Sequence, residues 1–130
     1  DDFFPRYLSI LLDEKFRDKI SEVRIEGHTD SRGGYMFNVG LAQNRTANVL
    51  DYLLNREDSE YNRSDIQDRR LLRYWFTTTG FSYGRTLDSG GKYTFYTNKR
   101  ENPDKSRRVE FRIVTKSEEV VDQMIRLLGE

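Results

Sequence analysis

The chain of 130 residues is 35% hydrophobic and 34% charged, and its 22 basic and 22 acidic side chains give a formal net charge of zero. Its length suits one domain with its own core, and the balanced charge argues against a nucleic-acid-binding or membrane-surface protein, because these carry a basic excess. The absence of cysteine excludes disulfides and thiolate metal sites, and no apolar run approaches the ~20 residues of a membrane span.

The first part of the chain predicts a helix, a strand and a second helix. Residues 5–19 carry an apolar stripe at helical spacing. Val23 and Ile25 alternate with charged residues and indicate a short, half-buried strand that runs into a glycine-rich turn. After that turn, Asn38 is the expected N-cap of a helix over 38–54.

The rest of the chain predicts shorter elements, of which the strand over 109–113 has the clearest alternation. The expected elements are a polar loop over 55–65, a short helix over 65–75, a strand over 76–83 interrupted by Gly80, a strand or ordered loop over 93–97, a turn over 98–106, the strand over 109–113 and a last helix capped by Ser117. Together these elements predict one α+β domain over 1–130.

The turn between the first strand and the second helix carries the most informative residues. Gly27-His28-Thr29-Asp30 is followed by Gly33, Asn38, Leu41 and Arg45 at the spacing Asp-x-x-Gly-x-x-x-x-Asn-x-x-Leu-x-x-x-Arg. This spacing resembles the signature of the OmpA-like peptidoglycan-binding domain, which occurs in OmpA, in the Pal lipoprotein and in the motor stator protein MotB.

By their chemistry alone, Asp30 and Arg45 allow two interpretations. They can form a structural ion pair, or they can face solvent and hold a zwitterionic ligand, with the carboxylate accepting an ammonium group and the guanidinium gripping a carboxylate bidentately. The resemblance implies the second, since the matching family residues bind the diaminopimelate end group of the peptidoglycan stem peptide. Asp30 and Arg45, with the neighbouring Thr29, Asn38 and Leu41, are therefore candidate ligand-binding residues.

A second block lies near the C-terminus. Ser106-Arg107-Arg108-Val109-Glu110 is similar to the family's Asn-Arg-Arg-Val-Glu and differs only in its serine. The two arginines alone indicate no more than a solvated strand entry, whereas the resemblance implies that the first lies near the peptide-binding groove. Arg107 is therefore a further candidate for peptidoglycan binding, and Arg108 is a second, lower-ranked candidate.

The resemblance also implies a fold. We expect an OmpA C-terminal-like βαβαβ(β) sandwich with a mixed sheet and helices packed on one face. Two additions to the family pattern are expected, namely an extra short helix around 65–75 and an additional C-terminal helix. The family's first strand is not recognisable before residue 5, so we expect either a sheet without this edge strand or a longer, membrane-anchored parent protein that supplies it.

Catalysis and metal binding find little support in the residue types. His28 is the only histidine, and zinc requires three or four N, S or O ligands, so we expect no metal and no cofactor. No Ser-His-Asp or Cys-His set exists without this histidine, so we expect no catalytic residues and no enzymatic activity. The run Tyr74-Trp75-Phe76 is interpreted as a helix end that packs its aromatics inward, not as a nucleic-acid platform.

These observations predict a non-catalytic module that anchors its parent protein to diaminopimelate-type peptidoglycan in the periplasm. The parent, held in the inner or outer membrane, would be a MotB-like stator subunit used in motility or in anti-phage defence such as Zorya, or an outer-membrane porin or lipoprotein. One exposed ion pair contributes only ~0.2–1 kcal/mol, so firm attachment would need repeated stem peptides and a membrane anchor or a homodimer. The alternatives left open are a protein–protein interaction domain that has lost wall binding and, with the least support, a cell-wall hydrolase.

Overall fold

A computed structural model of the chain describes residues 3–55, 65–115 and 118–129. Positions 56–64 of the expected loop and the expected cap at Ser117 lie outside the described residues. Within them the chain is α+β with a mixed three-stranded sheet, as predicted. The strands β1 (Ile20–His28), β2 (Phe76–Gly80) and β3 (Arg108–Thr115) pair in the order β2-β1-β3, so the strand that leads to Asp30 is the central one.

Helices precede, connect and follow these strands. Those in the described part of the chain are α1 (Phe3–Leu12), α2 (Tyr35–Asn55), α3 (Ile66–Trp75), α4 (Thr94–Thr97), α5 (Pro103–Ser106) and α6 (Glu118–Gly129). In that same part, no helix has both the length and the apolar character needed to cross a membrane.

The chain divides into two compact units. The first comprises the described parts of Asp1–Arg24, Asp51–Thr77 and Arg112–Glu130, and the second comprises Ile25–Leu50 and Thr78–Phe111. All the candidate ligand-binding residues of the sequence belong to the second unit.

The first unit holds most of the buried apolar side chains. They come mainly from α1, the start of β1, α3 and α6, and they are Phe4, Tyr7, Leu8, Leu11, Phe16, Ile20, Val23, Leu72, Trp75, Phe76 and Met124. Helices α1 and α6 contact each other. The guanidinium of Arg6 donates to the carbonyl oxygens of Leu127 and Leu128 at 3.3 and 3.2 Å, where a cation also complements the C-terminal end of the helix dipole.

The extra helix and the last helix are confirmed as α3 and α6. Helix α3 begins where the Asp65 side chain accepts a hydrogen bond from the backbone N–H of Asp68 at 2.8 Å, which satisfies one of the free donors of the first turn. Arg17 reaches this turn and pairs with Asp68 at 2.8 Å. The predicted helix over 5–19 is shorter than expected, since α1 ends at Leu12 and a separate 3-10 turn covers Arg17–Lys19.

Four local predictions differ from the structure. Asn38 is not an N-cap, because α2 already begins at Tyr35 and the Asn38 amide donates back to the carbonyl oxygens of Arg32 and Gly34 at 2.8 and 3.0 Å. Residues 94–97 form a helical turn, not a strand, and the predicted turn over 98–106 contains the short helix α5. The strand over 76–83 stops at Gly80, since Ser82 has a left-handed φ of 57° that extended backbone does not allow.

In the second unit, helix α2 packs closely against β1 and β2 through two glycines. A Cβ atom on Gly27 would lie 2.7 Å from the carbonyl oxygen of Ala42, and one on Gly80 would lie 2.8 Å from that of Val39. Gly27 therefore faces α2. Because side chains alternate along a strand, its neighbours Glu26 and His28 face away from this helix.

Candidate ligand-binding site

The Asp30 carboxylate sits in a turn directly after β1. Its residue is only 5% exposed, and its Oδ1 accepts a hydrogen bond from the backbone N–H of Arg32 at 3.0 Å. This local bond, from a side chain to the backbone two residues on, is the usual reason for aspartate in a turn. Gly33 follows with a φ of 88°, which suits a residue without Cβ, and α2 then begins at Tyr35.

Two guanidinium groups share the other carboxylate oxygen of Asp30. Arg32 donates to Oδ2 from Nε at 3.1 Å and from Nη2 at 2.8 Å, and Arg107 donates from Nη1 at 2.5 Å. The side-chain and backbone hydrogen bonds from Arg32, and then that from Arg107, hold the pKa of Asp30 well below its usual range, although burial acts in the opposite direction. Asp30 is therefore a fixed anion, and it is the centre of the site.

The second unit holds Arg107 in place from several sides. Asn102 caps α5 by accepting from the backbone N–H of Lys105 at 3.1 Å, and Arg107 follows the end of this helix. Arg107 also pairs with Asp104 on the same turn. Ser106 is fully buried, and its hydroxyl accepts from the backbone N–H of Leu87 at 3.0 Å. This serine therefore anchors the loop that presents Arg107.

The structure does not pair Asp30 with Arg45. Arg45 is an exposed residue of α2, and among the described residues no hydrogen bond or ion pair to its side chain is found. The direct ion pair that one interpretation of the sequence required is thus absent from the described part of the chain. In its place, Asp30 pairs with Arg107, which the sequence predicted as a contributor, and with Arg32, which it did not.

The remaining candidates are positioned as supports. Thr29 is buried, and its hydroxyl donates to the Asp30 carbonyl at 3.0 Å. Asn38 is also buried and ties the turn to α2 through its amide, while Leu41 is half-buried on the same helix. Arg108 donates from Nε to Glu110 Oε1 of the same strand, β3, at 2.5 Å and from Nη2 to the Arg85 carbonyl at 3.2 Å, and none of its described hydrogen bonds goes to Asp30.

Two residues near Asp30 were not predicted from the sequence. Arg32 lies two positions after Asp30, and the Asp-x-Arg spacing in a turn is a local signal that would have identified it. Glu101 accepts hydrogen bonds from the Ser31 backbone N–H at 3.2 Å and from its hydroxyl at 2.8 Å. No local pattern links residues so far apart in the chain, and only the fold brings Glu101 to the turn.

The fold and the site define an α+β domain with a charged cluster in which a buried aspartate meets arginines from separate loops. No family model matches the chain. The chain is similar to the Zorya protein ZorB of Escherichia coli, with 35% identity over 135 residues that cover 97% of this chain and 51% of that protein. It therefore spans about half the length of this relative.

Proposed function

We propose that this chain is a non-catalytic, OmpA-like module that binds the diaminopimelate end group of peptidoglycan and thereby anchors a periplasmic or membrane-held parent protein. The proposal rests on the surroundings of Asp30 and Arg45, the two charged residues of the motif. The Asp30 carboxylate is buried and held ionised among arginines, while the exposed Arg45 guanidinium has no partner among the described residues.

The ligand would reach Asp30 by replacing Arg32. The Arg32 side chain is 75% exposed, whereas that of Arg107 is 33% exposed. Because exposed ion pairs contribute little, an incoming ammonium group can displace the Arg32 guanidinium at low cost. Arg107 would stay in place and keep Asp30 oriented, and Arg45 would grip the ligand carboxylate bidentately.

The parent protein would be a MotB-like stator subunit of an anti-phage defence system. The similarity to the Zorya protein ZorB supports this assignment over a porin or lipoprotein tether. One such site binds weakly, so a membrane anchor, a homodimer and the repeated stem peptides of the wall would supply the avidity.

A pull-down with purified sacculi tests the proposal. Asp30→Asn keeps the shape of the side chain but removes the charge that an ammonium group needs, and Arg45→Ala removes the partner of the ligand carboxylate. We expect the bound fraction on diaminopimelate-type walls to fall about two- to fivefold for Arg45→Ala, as for the loss of one exposed ion pair, and at least as much for Asp30→Asn. The exposed Arg70→Ala on α3 is the matched control and should bind like the parent chain, while thermal unfolding followed by circular dichroism verifies that each variant folds.

A comparison of two types of peptidoglycan in the same experiment tests the role of Arg45. Lysine-type walls lack the carboxylate beside the terminal ammonium, so Arg45 has no partner there and binding should be weaker. Equal binding to both wall types would contradict the grip by Arg45. Unchanged binding of both variants would contradict the site altogether.

The competing function is a protein–protein interaction domain without wall binding. The observation that favours it is the saturation of Asp30 Oδ2, which already accepts hydrogen bonds from both Arg32 and Arg107. A folded chain that fails to sediment with either type of sacculus would support this alternative.

A further inference from the structure

A second polar cluster lies in the same unit, on the strand face that points away from α2. His28 at the end of β1 is 2% exposed, and Glu26, two residues earlier on the same face, is fully buried. Glu110 of β3 faces the same imidazole. Nε2 of His28 lies 3.8 Å from Glu26 Oε1 and 4.0 Å from Glu110 Oε2, and the three donor atoms lie within 4.8 Å of one another.

The His28 imidazole is the unusual member of this cluster. Neither ring nitrogen has a hydrogen-bond partner among the described residues, although buried polar side chains almost always have one. The ring stacks on Phe81, with centroids 5.0 Å apart and planes 4° apart, and the Arg85 guanidinium lies 4.1 Å from the centroid of that phenyl ring. The stacking fixes the plane of the imidazole and aims Nε2 between the two carboxylates.

We propose that Glu26, His28 and Glu110 bind a divalent transition-metal ion, with Zn²⁺ the best-matched ion. Imidazole nitrogen and carboxylate oxygen are both zinc ligands, and a site with three protein ligands leaves a fourth position for water. Imidazole disfavours Mg²⁺ and Ca²⁺, which prefer oxygen ligands alone. Nothing in the residue types near His28 indicated this set, because Glu110 is brought to it only by the pairing of β1 with β3.

The geometry allows the set to close around one ion. Ligand atoms that are ~2.0–2.2 Å from a tetrahedral zinc ion lie roughly 3.3–3.6 Å apart. The donor atoms of this cluster, 3.8 and 4.0 Å apart at His28 and all within 4.8 Å of one another, would therefore move closer together on binding. The side chain of Glu110 is 37% exposed and so can rotate and admit a water molecule. Arg108 donates to its Oε1 at 2.5 Å, and its Oε2 is the oxygen that lies 4.0 Å from His28 Nε2.

The protonation state and the surrounding charges are also compatible with a cation. Burial, followed by the charge of Arg108, lowers the pKa of His28 to about 4, so the imidazole is neutral at pH 7 and offers a lone pair. Of the charged groups acting on His28, Arg85 and Arg108 oppose a cation, whereas Glu26 and Glu110 attract it. The oxygens of the two carboxylates lie 3.8 and 4.0 Å from Nε2.

Because His28 is the only histidine of the chain, nitrogen-15 NMR of the imidazole reports on this site without ambiguity. The labelled chain is stripped with chelator and titrated with Zn²⁺, with Mg²⁺ as the control ion. We expect a stoichiometric shift of the Nε2 resonance with Zn²⁺ and none with Mg²⁺. Substitution by Co²⁺ should add a visible absorption band of nitrogen- and oxygen-bound cobalt.

Variants decide which side chains are ligands. Glu110→Gln, at a half-exposed position, should fold and weaken Zn²⁺ binding at least tenfold. Glu22→Gln, which changes a similarly half-exposed carboxylate on β1, should leave binding unchanged. Imidazole resonances that do not respond to excess Zn²⁺, or equal binding by Glu110→Gln and the parent chain, would overturn the proposal. An imidazole that ignores Zn²⁺ but titrates with a raised pKa would assign the cluster to proton binding instead.

Discussion

The Asp30 carboxylate accepts hydrogen bonds from a residue close to it in the sequence and from one that is distant. The backbone N–H and the guanidinium of Arg32 come from the same turn, whereas Arg107 comes from the loop before β3. Hydrogen bonds to a carboxylate stabilise its ionised form. Asp30 therefore stays charged through the neutral and mildly acidic range, and its recognition of an ammonium group would not depend on pH there.

The burial of His28 leads to a separate prediction about how stability depends on pH. The unfolded chain gains a proton on His28 near pH 6.5, but the folded chain gains it only near pH 4, because burial disfavours the imidazolium. Between these values the unfolded state binds more protons, so the free energy of unfolding falls as the pH is lowered from 6.5 to 4. The loss amounts to about 3–4 kcal/mol at most, since the pKa changes from 6.5 to about 4 and one pKa unit corresponds to ~1.4 kcal/mol.

Urea unfolding across this window, with chelator present, measures the effect. The chain has no other histidine, so the upper part of the window, above the range of the carboxylates, isolates His28. His28→Asn removes the titrating group and should give a flat profile there. An unchanged slope in this variant would show that another group is responsible.

At the scale of elements, the site depends on how closely α2 approaches the sheet. The turn that carries Asp30 leaves β1 and enters α2, so the position of this helix sets where Arg45 lies. Ser82 also holds the start of α2, since its hydroxyl donates to the Tyr35 carbonyl at 2.7 Å while its own carbonyl accepts from the backbone N–H of Thr29 at 2.9 Å.

Two glycine substitutions should change stability in opposite directions. Gly27→Ala places a methyl group 2.7 Å from the Ala42 carbonyl oxygen and 2.8 Å from Thr46 Cγ2, so we expect a loss of about 1–3 kcal/mol from overpacking. Gly40→Ala, within α2 and with no atom inside 4 Å, should gain about 0.5–1 kcal/mol because alanine favours helix. Urea denaturation of both variants tests this, and equal effects would contradict the close approach of α2 to β1.

At the scale of the whole molecule, zero net charge means that no long-range field favours a charged partner. Any salt dependence of wall binding should therefore arise at the site itself. Sacculus binding should fall by up to about fivefold with rising salt, which corresponds to the ~1 kcal/mol at the upper end for an exposed ion pair, because salt screens exposed charges over ~8–10 Å. Arg45→Ala should show a smaller salt effect in the same sedimentation assay, and a steep dependence in both proteins would indicate non-specific attraction.

The spacing of residues along the chain was sufficient to predict the features that depend on neighbouring residues. Periodicity predicted β1 and the helix at α3, because apolar residues at regular spacing must share one face, and a capping pattern predicted the last helix. The Asp30 turn was also visible, since its hydrogen bond to the Arg32 backbone spans only two residues. Where several local structures compete over a few polar residues, as at the start of α2 and in the short helices α4 and α5, the sequence alone predicted the wrong element.

Only the tertiary structure decided which distant side chains meet. No sequence pattern connects Asp30 with Arg107 or His28 with Glu110. Loop connections bring the first pair together, and strand pairing brings the second pair together. The motif led to the expectation that Asp30 and Arg45 hold a ligand between them, and it gave no sign that the folded chain pairs Asp30 with Arg32 and Arg107. The residue types near His28 suggested no metal, yet the pairing of β1 with β3 brings a second carboxylate to its buried imidazole. The sequence by itself thus determined the elements and the charged turn, whereas packing determined the partners, since contacts between distant residues form only when the chain folds.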